Sequence, residues 1–228
     1  YRMSYIHCPL CDYKMLYPKN EKRSPAIIFL DIDGVLIELF RPRDVLEKIK
    51  ATLKELFPHQ NRHYSRSQQN IATARYFNRE AIAGLDQIIE KIKDSGQRPL
   101  VVLSSSWRHA SWLDELRNDA YGQYNFSRYL CGKTSLDFQA EENLSIESKC
   151  GFEFYKTAQK VYGIQLKNRA NAIEFWLKDH GFDPEKTNFV VLDDEYVDCC
   201  SKFGPRFIET KWLLNQTNVQ AAIDALCS

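Results

Sequence analysis

Ala26-Ile27-Ile28-Phe29-Leu30 is an unbroken apolar run that stops abruptly at Asp31-Ile32-Asp33-Gly34-Val35-Leu36. A run of this length, closed by a glycine turn, reads as a buried strand. Continuous apolar strands belong to parallel sheets covered by helices. The same run delivers Asp31 and Asp33 to the strand's C-terminal tip, the edge where open α/β sheets hold ligands. Two carboxylates at one tip repel each other unless a cation lies nearby, so the pair points to a divalent metal, with Mg²⁺ the natural choice for hard oxygen donors.

Two further runs repeat the pattern. Leu100-Val101-Val102-Leu103 leads into Ser104-Ser105-Ser106-Trp107-Arg108, and Phe189-Val190-Val191-Leu192 leads into Asp193-Asp194. Helical periodicity fills the gaps. Asp44 to Phe57 has apolar residues at three and four; Asn78 caps a helix with Ile82, Leu85, Ile88, Ile89 and Ile92 on one face, stopped by Gly96. Asn168 caps a helix with Ile173, Trp176 and Leu177 facing inward and Gly181 at its end. A short strand near Phe207-Ile208 and a last helix from Asn218 complete the chain. Alternating strands and helices predict an α/β fold, a doubly wound parallel sheet with helices on both faces. The expected organisation is an N-terminal extension over 1–24 and one domain over 25–228. Within that domain a flap or cap insertion covers about 41–78, its part 58–77 reading as a loop, and a second insertion covers about 109–165.

Composition narrows the classes. A chain of 228 residues accommodates one core and a small accessory region. A net charge of +1 gives no overall attraction to nucleic acid or membrane. No apolar run approaches the ~18 residues of a membrane-spanning helix. The start, Tyr1-Arg2-Met3-Ser4, lacks an apolar signal core. The seven cysteines are odd in number and scattered, which argues against a disulfide framework and for a reducing, cytoplasmic setting. Secretion by a route without a signal peptide stays open. Cys8-Pro9-Leu10-Cys11 is half of a zinc knuckle and lacks a second pair at ligand spacing. That motif and a methionine in third place suggest a piece of a longer protein with further domains. No Cys-x5-Arg phosphate loop occurs, so a cysteine nucleophile has no support.

In a doubly wound sheet the tips carrying Asp31/Asp33, Ser104/Ser105 and Asp193/Asp194 lie on one edge. The helix after Asn168 adds Lys167 and Arg169 at its start. Two acid pairs, a hydroxyl and a cation are what metal-assisted phosphoryl transfer needs. Each part has a plainer reading. Aspartates favour turns, serines cap helices, and lysines and arginines are mostly solvated. The acid pair ending a second buried strand weighs against coincidence.

The order DxDGVL, strand-SSSWR, cation before a helix, and strand-LDDE resembles the haloacid dehalogenase (HAD) superfamily of phosphatases, over roughly residues 26–228. More narrowly, Ser105-Ser106-Trp107-Arg108, the segment from Arg169 to Leu177 and Phe207-Ile208-Glu209-Thr210 resemble the HAD domains of Swiss-army-knife RNA-repair proteins. The resemblance implies a Rossmann-like core and a Mg²⁺-dependent phosphomonoester hydrolase. Asp31 would be the nucleophile, giving an aspartyl-phosphate, and Asp33 the general acid and base. Asp31, Asp33 through its carbonyl, and Asp194 or Asp193 would hold the metal. Ser105, or Ser104 if the strand ends earlier, would donate to a phosphate oxygen. Lys167 or Arg169 would balance charge. Gly34, Ser106 and Arg108 are the candidate substrate contacts.

The substrate is less legible. Residues 41–79 carry nine basic residues against three acidic ones. A positive cover suits an anionic substrate such as a nucleotide, a polynucleotide end or a phosphoprotein. A basic solvent face on a helix explains the same count. Three readings therefore stand: a HAD-type phosphomonoesterase, a protein tyrosine or serine phosphatase of the same fold, and a non-catalytic binding module.

Overall fold

The computed structural model describes residues 23–38, 43–60, 64–105, 122–134 and 168–227, together with four two-residue strands near the N-terminus. Those strands are β1 (Met3–Ser4), β2 (His7–Cys8), β3 (Tyr13–Lys14) and β4 (Tyr17–Pro18), pairing antiparallel as β1 with β4 and β2 with β3. Cys8 thus lies in a strand, whereas Cys11 lies outside the described residues.

The core is a five-stranded parallel sheet. Its strands are β5 (Pro25–Leu30), β6 (Arg98–Leu103), β7 (Leu130–Lys133), β8 (Asn188–Asp193) and β9 (Phe207–Glu209), in the order β7-β6-β5-β8-β9. The three apolar runs become its three central strands, and alternation explains why they are apolar throughout. Ala26, Ile28 and Leu30 point to one face with Val101, Leu103, Val190 and Leu192. Ile27 and Phe29 point to the other with Leu100, Val102, Phe189 and Val191. The first face is covered by α3 (Arg79–Asp94), through Leu85, Ile88 and Ile89, and by α5 (Gln216–Cys227), through Val219, Ala222 and Leu226. The second is covered by α4 (Arg169–Asp179), whose Ile173, Trp176 and Leu177 pack on it. Trp176 meets Phe29 edge to face at 5.5 Å. The chain belongs to the α/β class with a doubly wound parallel sheet, as the alternation predicts.

Strand order reverses between β5 and β8, since β6 and β7 lie on one side of β5 and β8 and β9 on the other. A crevice opens at the C-terminal edge where strand order reverses this way. Asp31 follows β5 and Asp193 ends β8, so both flank that crevice.

Several elements differ from expectation. The stretch 58–77, read as a loop, contains α2 (Arg66–Ala74). Its start is a capping box in which Ser65 accepts from the Gln68 N–H while the Gln68 side chain accepts from the Ser65 N–H. α1 (Arg43–Leu56) and α2 share a small core of Ile49, Leu53 and Ala72, flanked by Phe57, Tyr64 and Tyr76. This pair departs after Ile37 and returns at Asn78, whose N–H donates to the Leu36 carbonyl at 2.9 Å. It is therefore rooted beside the Asp33-Gly34 turn. Strand β7 falls inside the stretch read as a second insertion and forms one edge of the sheet. The last helix starts at Gln216 rather than Asn218, because the Asn215 side chain accepts from the Thr217 and Asn218 N–H groups. Among the described residues no helix is long and apolar enough to cross a membrane.

Candidate active site

Asp31 is held at the strand tip by its own backbone. Its N–H donates to the Leu192 carbonyl on β8 at 2.9 Å, and its Oδ1 accepts from the Ile32 N–H at 2.7 Å. The chain then turns sharply, with the Leu36 N–H donating to the Ile32 carbonyl and the Gly34 N–H to the Ile37 carbonyl. Gly34 sits at φ 71°, in the left-handed region. A Cβ there would also overlap the Asp194 carboxyl and lie 2.7 Å from the Asp194 Cβ. Glycine is therefore what lets the Asp33 turn close onto the tip of β8.

Asp193 ends β8 and Asp194 follows it, and the two divide in burial. Asp193 is fully buried. Its Oδ1 accepts from the Glu195 and Tyr196 N–H groups at 3.0 and 3.2 Å. Its Oδ2 faces Arg169 Nη1 at 3.1 Å. Asp194 is half-buried, opposite Gly34. Carboxylate oxygens of Asp31, Asp193 and Asp194 all lie within 4.8 Å of one another.

Arg169 opens α4, one residue after Asn168, whose side chain caps the helix by accepting from the Asn171 N–H at 3.0 Å. Its buried guanidinium reaches Asp31 Oδ2 at 3.5 Å as well as Asp193. Tyr196 covers it, with the ring centroid 4.2 Å from Cζ. Burial opposes the guanidinium's charge, but Asp31 and then Asp193 outweigh it and hold the proton more firmly than usual. Lys167, the alternative cation, lies outside the described residues.

The hydroxyls also divide. Strand β6 ends at Leu103, and Ser104 and Ser105 are both buried. The Ser105 side chain hydrogen-bonds Asp31. Ser104 instead accepts from the Thr134 hydroxyl at 3.4 Å. Ser106, Trp107 and Arg108 lie outside the described residues.

This concentration of acid shapes the protonation state. Burial pushes Asp31 up to about 7; Arg169 opposes the rise and Asp193 adds to it. Burial, followed by the charge of Asp193, raises Asp194 to about 6. One guanidinium thus faces three clustered carboxylates, with Asp33 close enough to act on Asp194. Hard oxygen donors with a charge deficit suit a small divalent cation, which would take the place of the protons now favoured there.

The parts that three residues play in this arrangement escape sequence reasoning, although Thr210 belongs to the segment that carries the family resemblance. Tyr196 stacks on the cation, Thr134 pairs with Ser104, and Thr210 donates its hydroxyl to the Gly34 carbonyl at 2.9 Å. Thr134 sits in the stretch read as an insertion. The signal for Tyr196 was its place three residues after Asp193, in the turn that the carboxylate caps. Cys199 and Cys200, whose sulfurs lie 3.8 Å apart, sit behind this turn, and Cys200 is fully buried.

A parallel α/β sheet with acids at the tips of two strands and a buried guanidinium at its reversal point defines the class as a Rossmann-like α/β core. The comparison with known families makes it specific. The family of the HAD domain in Swiss Army Knife RNA repair proteins matches residues 27–219, and the chain belongs to that family. That membership supports a HAD-type hydrolase. No curated protein and no solved structure matches the chain.

Proposed function

We propose that this chain is a divalent-cation-dependent phosphomonoester hydrolase working through an aspartyl-phosphate on Asp31. The observation that carries the reading is the meeting of Asp31, Asp193 and Asp194 oxygens within 4.8 Å, beside a buried guanidinium 3.5 Å from Asp31. Asp31 attacks phosphorus in line. The bond to the leaving oxygen breaks, its electron pair stays on that oxygen, and Asp33 delivers a proton there. A water oxygen then attacks phosphorus and passes its proton to Asp33. The bond to Asp31 breaks, regenerating the carboxylate and releasing inorganic phosphate.

The remaining groups position and neutralise. Asp193 spends one oxygen on backbone N–H groups and the other on Arg169. That leaves Asp31, the Asp33 carbonyl and Asp194 as the donors for Mg²⁺, which would offset phosphate charge and keep Asp31 ionised. Arg169 compensates charge on the transferring group, and Ser105 donates to a phosphate oxygen. The segment 41–78, with its two helices rooted at Leu36 and Asn78, acts as a cap over the crevice.

The test is hydrolysis of p-nitrophenyl phosphate with and without Mg²⁺, on the wild type and on Asp31→Asn. The reading expects Mg²⁺-dependent turnover that falls at least a thousandfold in the variant. Equal and negligible turnover in the two proteins would leave a binding module of the same fold, and equal, substantial turnover would remove Asp31 as the nucleophile.

A further inference from the structure

Cys199 and Cys200 are adjacent in the chain and close the helical turn Val197–Cys200 that follows the Asp193-Asp194 tip. Successive side chains on a helical turn diverge by about 100° and ordinarily point apart. Here the two sulfurs meet, 3.8 Å apart, and both side chains pack on the core of the second sheet face. Cys200 is fully buried there, and burial followed by the neighbouring Cys199 keeps its thiol protonated. Cys199 is partly exposed. One thiol therefore meets solvent, and the other lies in contact behind it.

Tyr196 ties this turn to the cation of the site. Its carbonyl accepts from the Cys200 N–H at 2.9 Å and from the Cys199 thiol at 3.5 Å. Its N–H donates to Asp193 Oδ1 at 3.2 Å, and its ring centroid lies 4.2 Å from Arg169 Cζ. A bond between the sulfurs would disturb that tie twice. The Cys199 thiol would lose the proton it donates. The sulfurs would also have to close to about 2.05 Å, while adjacent Cα atoms lie about 3.8 Å apart, below the roughly 4.4–6.8 Å usual across a disulfide. The peptide between the two cysteines must then twist, and the Cys200 N–H twists with it. The same strain makes such a bond easy to reduce, which suits a reversible modification rather than a structural staple.

We propose that Cys199 and Cys200 form a redox modification site, a vicinal disulfide that shifts Tyr196 on Arg169 when a hydroperoxide oxidises the pair, and so slows turnover. The Cys199 thiolate attacks one peroxide oxygen and the O–O bond breaks. With hydrogen peroxide the departing hydroxide takes up the proton that Cys199 released and leaves as water, and Cys199 becomes a sulfenic acid. The Cys200 sulfur then attacks the Cys199 sulfur. The S–O bond breaks, and the hydroxide leaves as water with the Cys200 proton. Two thiols give up two electrons to the peroxide, and a dithiol reductant returns them. The effect on turnover rests on the hydrolase reading above; formation of the bond does not. The full chain is treated with hydrogen peroxide, alkylated, digested and weighed. The peptide holding both cysteines should lack two hydrogens and carry no alkyl group, and after dithiothreitol it should carry two. Oxidation should lower the melting temperature and slow hydrolysis of p-nitrophenyl phosphate about tenfold, the size of a lost buried cation–π contact, and dithiothreitol should restore both. Cys199→Ser should keep the wild-type rate and resist peroxide. Tyr196→Ala should start near the oxidised rate and lose little more, although its disulfide still forms. Full alkylation of both cysteines after peroxide, or a bond from either to a different cysteine, would overturn the proposal. So would a vicinal disulfide that leaves rate and melting temperature unchanged. A wild type without turnover on any substrate, whose disulfide still forms and lowers the melting temperature, would remove the hydrolase reading alone.

Discussion

At the scale of single residues, the site is a charge problem solved by burial and one guanidinium. Asp31 titrates at about 7 in the folded chain against 3.8 ordinarily. Between those values the folded state keeps a proton that the unfolded state releases. The stability this proton contributes is therefore fully present below about pH 4 and is lost as pH rises through about 7. In chelator, wild type should lose more stability over this window than Asp31→Asn, in which Asp194 still gives up its proton near 6. At pH 8 the variant should be more stable by about 2 kcal/mol or more, since each tenfold change in proton affinity corresponds to about 1.4 kcal/mol. Thermal melts at pH 5 and pH 8 check this; a variant less stable than wild type at pH 8 would contradict it. Arg169→Ala should cost about 3–5 kcal/mol, because it strands the buried Asp31 and Asp193 carboxylates. Gly34→Ala should destabilise by more than about 1 kcal/mol and weaken cation binding, because the added carbon displaces Asp194. The carboxylates were legible as acids at the ends of apolar runs. Arg169 was legible only as one of two candidates, because the sequence does not tell which of the cations flanking the Asn168 cap faces the carboxylates.

At the scale of elements, legibility followed burial. Strands β5, β6 and β8 are covered on both faces and read as unbroken apolar runs. Strand β7 is a four-residue edge in which Leu130 and Gly132 are buried while Cys131 and Lys133 are partly exposed. Alternation that short does not separate from loop. Helix α2 is polar over most of its length, and its clearest signature was the Ser65-x-x-Gln68 capping box. The basic surplus of 41–79 is partly spent within α1, where Arg43 pairs with Glu47 and Lys48 with Asp44. Exposed pairs of this kind add little stability. Caps contribute more. Asn78 accepts from the Glu80 and Ala81 N–H groups at the start of α3. Asn78→Ala should therefore cost about 1 kcal/mol by chemical denaturation, and an unchanged midpoint would show that α3 is fixed by packing alone.

At the scale of the whole molecule, the reversal of strand order brings residues far apart in sequence to one edge. Backbone hydrogen bonds lock them there: Asp31 to Leu192, Ser104 to Leu30, Thr210 to Asp193 and Leu214 to Val35. The site is therefore built by the same ladder that closes the core, and a bound cation should stabilise the fold as a unit. Mg²⁺ at pH 8 should raise the melting temperature of wild type by several degrees. The same addition to Asp194→Asn should give a much smaller shift, and equal shifts would place the cation elsewhere. The most direct measurement is a single turnover with a ³²P-labelled phosphomonoester, quenched in acid and mapped by peptide. The account predicts transient label on the peptide containing Asp31, absent from Asp31→Asn. Release of labelled phosphate with no labelled protein at any time, or label on another residue, would contradict it.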